Sequence, residues 1–334
     1  MGNPSFDTLK FSVCDIDEHI SEFKLDRFKK RSIQKPGENE IISYELLKSE
    51  MPLGLSSFDY FPDQNRAVLE CSAKILRENY FEGINLKTLD QFSSSLKILG
   101  LKDTWVNDSY VLRCDVTKNI RPTDIDSSLN DLYMLTLNQK YEVKSYRTSI
   151  IFSPTAKTSN SRLTFYKKHV ELLRAKNKAL LKILPSKLVN SSLGILRAER
   201  NIRSFKEIRD SFHVKNSDSI GVKFTDIIQS AENPILSMFN RISQVQLPLF
   251  VNDPLYENIG KWSELERAYG MDKIIVECGY NLSVIMNLIS KYQKSRNPSI
   301  LRNKYRERIA VLKSVASNKN ISSSLEEIRT LLAS

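Results

Sequence analysis

Three separate stretches of the sequence alternate apolar and polar residues with a period of two, and that pattern limits the fold more than any other feature. Successive side chains on a strand point to opposite faces, so each stretch predicts a strand with one face for a core and one polar face. In 110–117, Leu112, Cys114 and Val116 share the apolar side, and Arg113, Asp115 and Thr117 share the other. In 162–167, Leu163 and Phe165 are expected inside while Thr164 and Tyr166 face away. In 195–202, Leu196, Ala198 and Ile202 line one side and Arg197, Glu199 and Asn201 the other, with Arg200 breaking the apolar side. The expected class is α+β: an antiparallel sheet whose polar face carries the chemistry, flanked by helices.

The rest of the chain fills in around these strands. Residues 1–50 suggest a strand or two and a loop at 34–39. Residues 67–72 have strand character; a helix is predicted over 86–99, with Gly100 as its stop. A basic helix is predicted over 169–184, with Leu172, Leu173, Leu180, Leu181 and Ile183 as its inner stripe. From about residue 225 the pattern turns helical, with helices expected over 262–269, 276–292, 300–315 and 324–332. A chain of 334 residues fits about two domains, placed at 1–215 for the sheet domain and 216–334 for a mainly helical one.

Composition narrows the function. The formal charge is +11, and residues 161–210 hold 13 basic against 4 acidic residues. A concentrated basic segment suits phosphate-backbone binding, so nucleic acid is the leading partner class. The four cysteines have no metal-binding spacing, and Met1 to Lys10 lacks a signal-peptide pattern. No window of about 18 consecutive apolar residues exists to span a membrane. A reducing cytoplasm is the expected setting.

Histidine is scarce: only His19, His169 and His213 occur, far apart, which argues against a Ser-His-Asp triad, a His-rich metal site or an H-x-H nicking motif. The more informative group is Asp115, Tyr166, Lys167, Lys168, Glu171, Arg197 and Glu199. A tyrosine hydroxyl can attack a phosphodiester and keep the bond as a phosphotyrosine. Carboxylates suit a hard divalent cation that polarises the phosphate, and lysines beside the tyrosine steady phosphate charge. The plainer reading is a packed strand tyrosine with carboxylates paired to Arg113 and Arg197.

Ordered blocks resemble the rolling-circle replication initiators of filamentous bacteriophages, the gene II protein type. They are Val68-Leu69-Glu70-Cys71-Ser72-Ala73-Lys74-Ile75-Leu76 with Phe81-Glu82-Gly83, then Leu112-Arg113-Cys114-Asp115-Val116-Thr117, then Leu163-Thr164-Phe165-Tyr166-Lys167-Lys168-His169-Val170-Glu171-Leu172. Gly194-Ile195-Leu196-Arg197-Ala198-Glu199-Arg200-Asn201-Ile202-Arg203 follows, and Ile275-Val276-Glu277-Cys278-Gly279 with Met286-Asn287-Leu288 closes the set. The chain is shorter than is usual in that family, and Glu82 is an insertion in its turn. The resemblance implies a site-specific nickase that cuts one strand of a double-stranded replicative form, stays joined to the 5′ phosphate through tyrosine, and later closes the displaced circle. Carried over, Tyr166 is the nucleophile and Lys168 assists it. Asp115, Glu199 and Glu171 are the candidate ligands of Mg²⁺ or Mn²⁺. Arg113, Lys167, Arg197, Arg200 and Arg203 are the candidate DNA contacts. The implied partners are the double-stranded origin, the displaced single strand, a host replicative helicase and a second copy of the chain, with no membrane, in the bacterial cytoplasm. A DNA-binding regulator that cuts nothing is the alternative. A tyrosine recombinase is excluded by the missing Arg…His-x-x-Arg…Tyr set.

Overall fold

The computed structural model describes residues 3–21, 24–33, 41–135, 141–155, 161–214, 221–243, 259–260, 262–278, 280–292, 298–315 and 323–334. Within them eleven strands join one sheet, and every pairing is antiparallel. The strands are β1 (Ser5–Cys14), β2 (Phe28–Ile33), β3 (Ile41–Leu46), β4 (Leu55–Phe61), β5 (Arg66–Ser72) and β6 (Ser109–Ile120). They continue with β7 (Tyr141–Tyr146), β8 (Ser149–Pro154), β9 (Arg162–Lys167), β10 (Leu196–Ile202) and β11 (Val222–Lys223). Their order across the sheet is β2-β3-β4-β5-β1-β6-β10-β9-β8-β7, with β11 paired to β6. The three strands predicted from alternation are therefore β6, β10 and β9, side by side.

Helices α1 (Leu89–Ser94) and α2 (Ile125–Met134) precede a run of short ones, α3 (Lys168–Leu172), α4 (Lys178–Leu181), α5 (Ser186–Ser191), α6 (Phe205–Phe212), α7 (Phe224–Ile228) and α8 (Pro234–Ile242). Longer helices follow: α9 (Trp262–Glu277), α10 (Leu282–Tyr292), α11 (Pro298–Val315) and α12 (Ser323–Ala333). The α+β class expected from the sequence is the class observed. Among the described residues no helix is long and apolar enough to cross a membrane.

Several local expectations need correction. The first fifty residues hold three strands, not one or two; the loop at 34–39 lies outside the described residues. The helix over 86–99 is reduced to α1 and a 3-10 turn at Lys97–Leu99, although Gly100 ends it in the left-handed region (φ 86°) as expected. The helix over 169–184 is broken into α3, a 3-10 turn and α4, leaving Leu173 and Ile183 exposed. The break is held by buried Asn177, whose Nδ2 donates to the Glu171 carbonyl at 2.8 Å. The helix over 276–292 is likewise interrupted, because Asn281 caps α10 by accepting from the Ser283 and Val284 amides. On β6, a register shift against β1 between Lys10 and Phe11 takes Leu112 out of the pairing, and Val111 takes its expected place in the core.

The apolar face of the central strands packs beneath an aromatic cluster. The Phe11 ring meets Trp105 edge-on at 5.3 Å and Phe224 at 5.1 Å, while Phe6 packs against Phe212. Such pairs add about 0.5–1.5 kcal/mol each beyond their burial. Ile227 of α7 and Phe239 of α8 belong to this core, as do Leu325, Ile328 and Leu332 of α12. Helices α9 to α11 bury a smaller cluster around Ile275, Ile285 and Leu312, where Arg308 holds fully buried Asp272 at 2.6 and 2.7 Å.

Candidate active site

Directly paired residues of neighbouring antiparallel strands share a face, so the register arranges the polar face in rows. One row runs Tyr146, Ser149, Tyr166, Arg197, Asn119 across β7, β8, β9, β10 and β6. The next runs Lys144, Ile151, Thr164, Glu199, Thr117. A third runs Arg162, Asn201, Asp115, Thr8 from β9 to β1. Tyr166 and Glu199 are thus diagonal neighbours, and the phenol donates to Glu199 Oε2 at 2.8 Å.

Around this pair the polar groups interlock. Arg197 is fully buried, donates from Nε to Asn119 Oδ1 at 2.7 Å and pairs through Nη1 with Asp7 Oδ1 at 2.6 Å. Lys168, also buried, donates to the Tyr80 hydroxyl and pairs with Glu171 at 2.8 Å; its ammonium lies 4.6 Å from the Tyr80 ring centroid. Glu171 also pairs with Lys176 at 2.9 Å. One row away, Asp115 accepts from Asn201 and, at 3.0 Å, from Arg113, while Arg203 donates to Asn201 Oδ1 at 2.6 Å. A cleft of about 550 Å³ opens over these rows. Its floor is acidic, from Asp7, Asp115 and Glu199, and Arg162, Arg174 and Lys176 line it as well.

Burial sets the proton affinities here, and the neighbours modify them. Burial, then repulsion from Asp7 and Asp115, lifts the Glu199 carboxyl to about 7. Burial and the Glu199 charge push the Tyr166 phenol well above its ordinary 10. Burial and the adjacent Arg197 bring the Lys168 ammonium down to about 8. Burial would raise Glu171, but Lys168 and Lys176 outweigh it and hold the carboxyl at about 2. Asp115 is raised by burial, against the pull of Arg113. At neutral pH the tyrosine is therefore protonated, and the carboxylate it touches is poised to accept a proton.

The structure brings Tyr166, Lys168, Glu171, Arg197 and Glu199 together, with Asp115, Arg113 and Arg203 in an adjoining network. Arg200 stands apart: it lies on the core face, 5% exposed, donating to Ser161 Oγ and the Pro234 carbonyl. Lys167 is paired with Asp126 of α2. Among the described residues no group of three or more His, Cys, Asp or Glu side chains could hold a metal ion. Asp115, Glu171 and Glu199 do not form a ready cation site, since Glu171 is engaged by two lysines and Asp115 by Arg113 and Asn201. None of the histidines is in the cleft: His19 is buried between Thr104 and Asp108, His169 bonds Ser192, and His213 pairs with Glu232.

Three participants escape the sequence reading. Asn119 simply continues the alternation of Arg113, Asp115 and Thr117. Asp7 is left unpaired by a β-bulge between the Phe6↔Val116 and Thr8↔Asp115 pairs, the kind of irregularity that re-aims a side chain. Its signal is a slip of the apolar spacing from two to three between Phe6 and Leu9. Tyr80 comes from a 3-10 segment, Ala73–Phe81, and no periodicity marks it.

No protein-family model matches the chain, and no curated protein matches it. Among solved structures the chain is similar to a rolling circle replication initiator protein from Geobacillus stearothermophilus, at 13% identity, over 60% of this chain and 74% of that one, with a TM-score of 0.28.

Proposed function

We propose that this chain is a DNA-nicking initiator of rolling-circle replication, with Tyr166 as nucleophile and Glu199 as its general base. The observation that carries the reading is the 2.8 Å hydrogen bond from the half-buried phenol to a carboxylate held near neutrality, at the floor of a cleft lined by cations. That is the pairing a weak hydroxyl nucleophile requires.

In the proposed reaction the Tyr166 hydroxyl oxygen attacks the scissile phosphorus as its proton passes to Glu199. The new O–P bond forms while the P–O3′ bond breaks, and the 3′ oxygen leaves with a proton from solvent. The 5′ phosphate stays on Tyr166, and attack by a 3′ hydroxyl on that link reverses the step and closes a circle. Lys168 is buried beside the Tyr80 and Tyr166 rings and paired with Glu171, so it would act through its field at Tyr166 and not by touching the phosphate. Arg162, Arg174 and Lys176 would hold flanking phosphates; Arg197 acts by positioning, since it has no exposed surface. Asp115, Glu171 and Glu199 do not fit a cation as they stand, because Lys168 and Lys176 hold Glu171 while Arg113 and Asn201 hold Asp115. Mg²⁺ or Mn²⁺ dependence is an assay variable.

The double-stranded origin and the displaced strand are the proposed DNA partners. A host helicase, self-association and a bacterial cytoplasmic setting follow from the family resemblance alone. The test is conversion of supercoiled DNA carrying the chain's own coding region to open circles, with and without Mg²⁺, by wild type and Tyr166→Phe. Open circles from wild type only support the proposal. Equal nicking by both moves the nucleophile elsewhere, and binding without nicking by either favours a regulator.

A further inference from the structure

We infer that the β7–β8 hairpin forms a base-stacking subsite, with Tyr146 as the platform on which one unstacked base of a single-stranded DNA rests beside the reacting phosphate. The subsite takes its position from the nicking site proposed above and rests on that reading.

Tyr146 is 59% exposed, on an edge strand, yet it lines the same cleft as Tyr166. The register places it in the Tyr166 row, with only Ser149 between them. Two strand spacings separate such residues, roughly 10 Å, a distance at which a base next to the scissile phosphate comes within reach. Ser149 is small, and Tyr146, Ser149 and Tyr166 line one cleft, with the Tyr146 ring largely exposed.

The charge around it fits the same ligand. Arg147 follows Tyr146 in the turn and is exposed, and Arg162 and Arg174 stand on the cleft with exposed side chains. An aromatic ring on a cleft that also carries cations is how proteins hold a single strand, because each base offers a π face and each nucleotide a phosphate. A base inside a duplex has both faces covered by its neighbours and offers none to Tyr146. The cleft volume, about 550 Å³, is that of a small-molecule site and suits a nucleotide or two rather than a duplex. The hairpin would thus favour origin DNA that is already melted at the cleavage position.

The test is fluorescence anisotropy with a labelled short oligothymidylate and a labelled hairpin duplex, using the full chain in the Tyr166→Phe background so that no cleavage intervenes. Tyr146→Ala is expected to weaken single-strand binding about tenfold, Tyr146→Phe to retain it, and neither to change duplex binding. Equal affinity of Tyr146→Ala and its parent for the single strand overturns the subsite. So does an equal loss on both DNAs, which would assign Tyr146 to the shape of the hairpin instead of to stacking. Because binding is read without nicking, failure here leaves the Tyr166 assignment standing. Tyr146-dependent binding in a chain that never nicks would remove the catalytic reading and keep the platform.

Discussion

Replacing Glu199 by glutamine keeps the shape of the side chain and removes its charge, which separates what the site does from what it costs the fold. Burial beside Asp7 and Asp115 lifts this carboxyl from its ordinary 4.5 to about 7. At 1.36 kcal/mol per pKa step, ionising it in the folded protein costs roughly 3 kcal/mol. The folded value lies above the unfolded one, so the folded state binds the proton more tightly. The stability from that proton is fully present below about 4.5 and is lost as pH rises to about 7. Glutamine has no such loss, and its amide oxygen can still accept from the Tyr166 hydroxyl. Urea denaturation is expected to find the two proteins within about 1 kcal/mol at pH 5 and the Glu199→Gln variant more stable at pH 8, by up to roughly 3 kcal/mol. The same variant is expected to nick at least 100-fold more slowly, the usual contribution of a general base at its lower end (about 10²). A variant no more stable than wild type at pH 8, or a difference that ignores pH, would refute the electrostatic argument.

Further outcomes follow from the same contacts. The nicking rate against pH is expected to rise as Glu199 ionises near 7 and to fall as Lys168 loses its proton near 8, giving a narrow bell; a rate flat from pH 6 to about pH 9 would leave neither group in the chemistry. Asp7→Ala strips the carboxylate from a fully buried arginine and is expected to cost about 3 kcal/mol in a urea titration; a loss below about 1 kcal/mol would mean Asn119 alone suffices. Gly83 has φ 70°, and a Cβ there would meet the Ser5 hydroxyl and approach the Phe6 carbonyl at 3.1 Å. Gly83→Ala should therefore lower the thermal midpoint by several degrees, as a loss of more than about 1 kcal/mol would; an unchanged midpoint would show that β1 yields easily at the bulge that aims Asp7.

The sequence exposed the site where its pattern was strictly local. Alternation in β9 and β10 put Tyr166, Arg197 and Glu199 on polar faces, and the structure pairs those strands so that the three meet. What alternation leaves open is register, and register decides that Tyr166 lies opposite Arg197 and diagonal to Glu199. Arg200 illustrates a second limit: an arginine on an apolar face reads as an irregular strand or a DNA contact, yet here Ser161 and a carbonyl of α8 satisfy it inside the core. Asp7 and Leu112 show a third, since bulges displace a side chain by one position and only a slipped interval hints at them. The basic stretch over 169–184 had the composition of one helix, but Asn177 ties its backbone into turns.

The most direct measurement is peptide mapping of the covalent complex trapped on a single-stranded oligonucleotide that spans the cleavage position. The nucleotide adduct is expected on the peptide that contains Tyr166, as a phosphotyrosine on the 5′ side of the cut. An adduct on Tyr80, Tyr146 or any other residue, or cleavage with no covalent link at all, would contradict the assignment of Tyr166 as nucleophile.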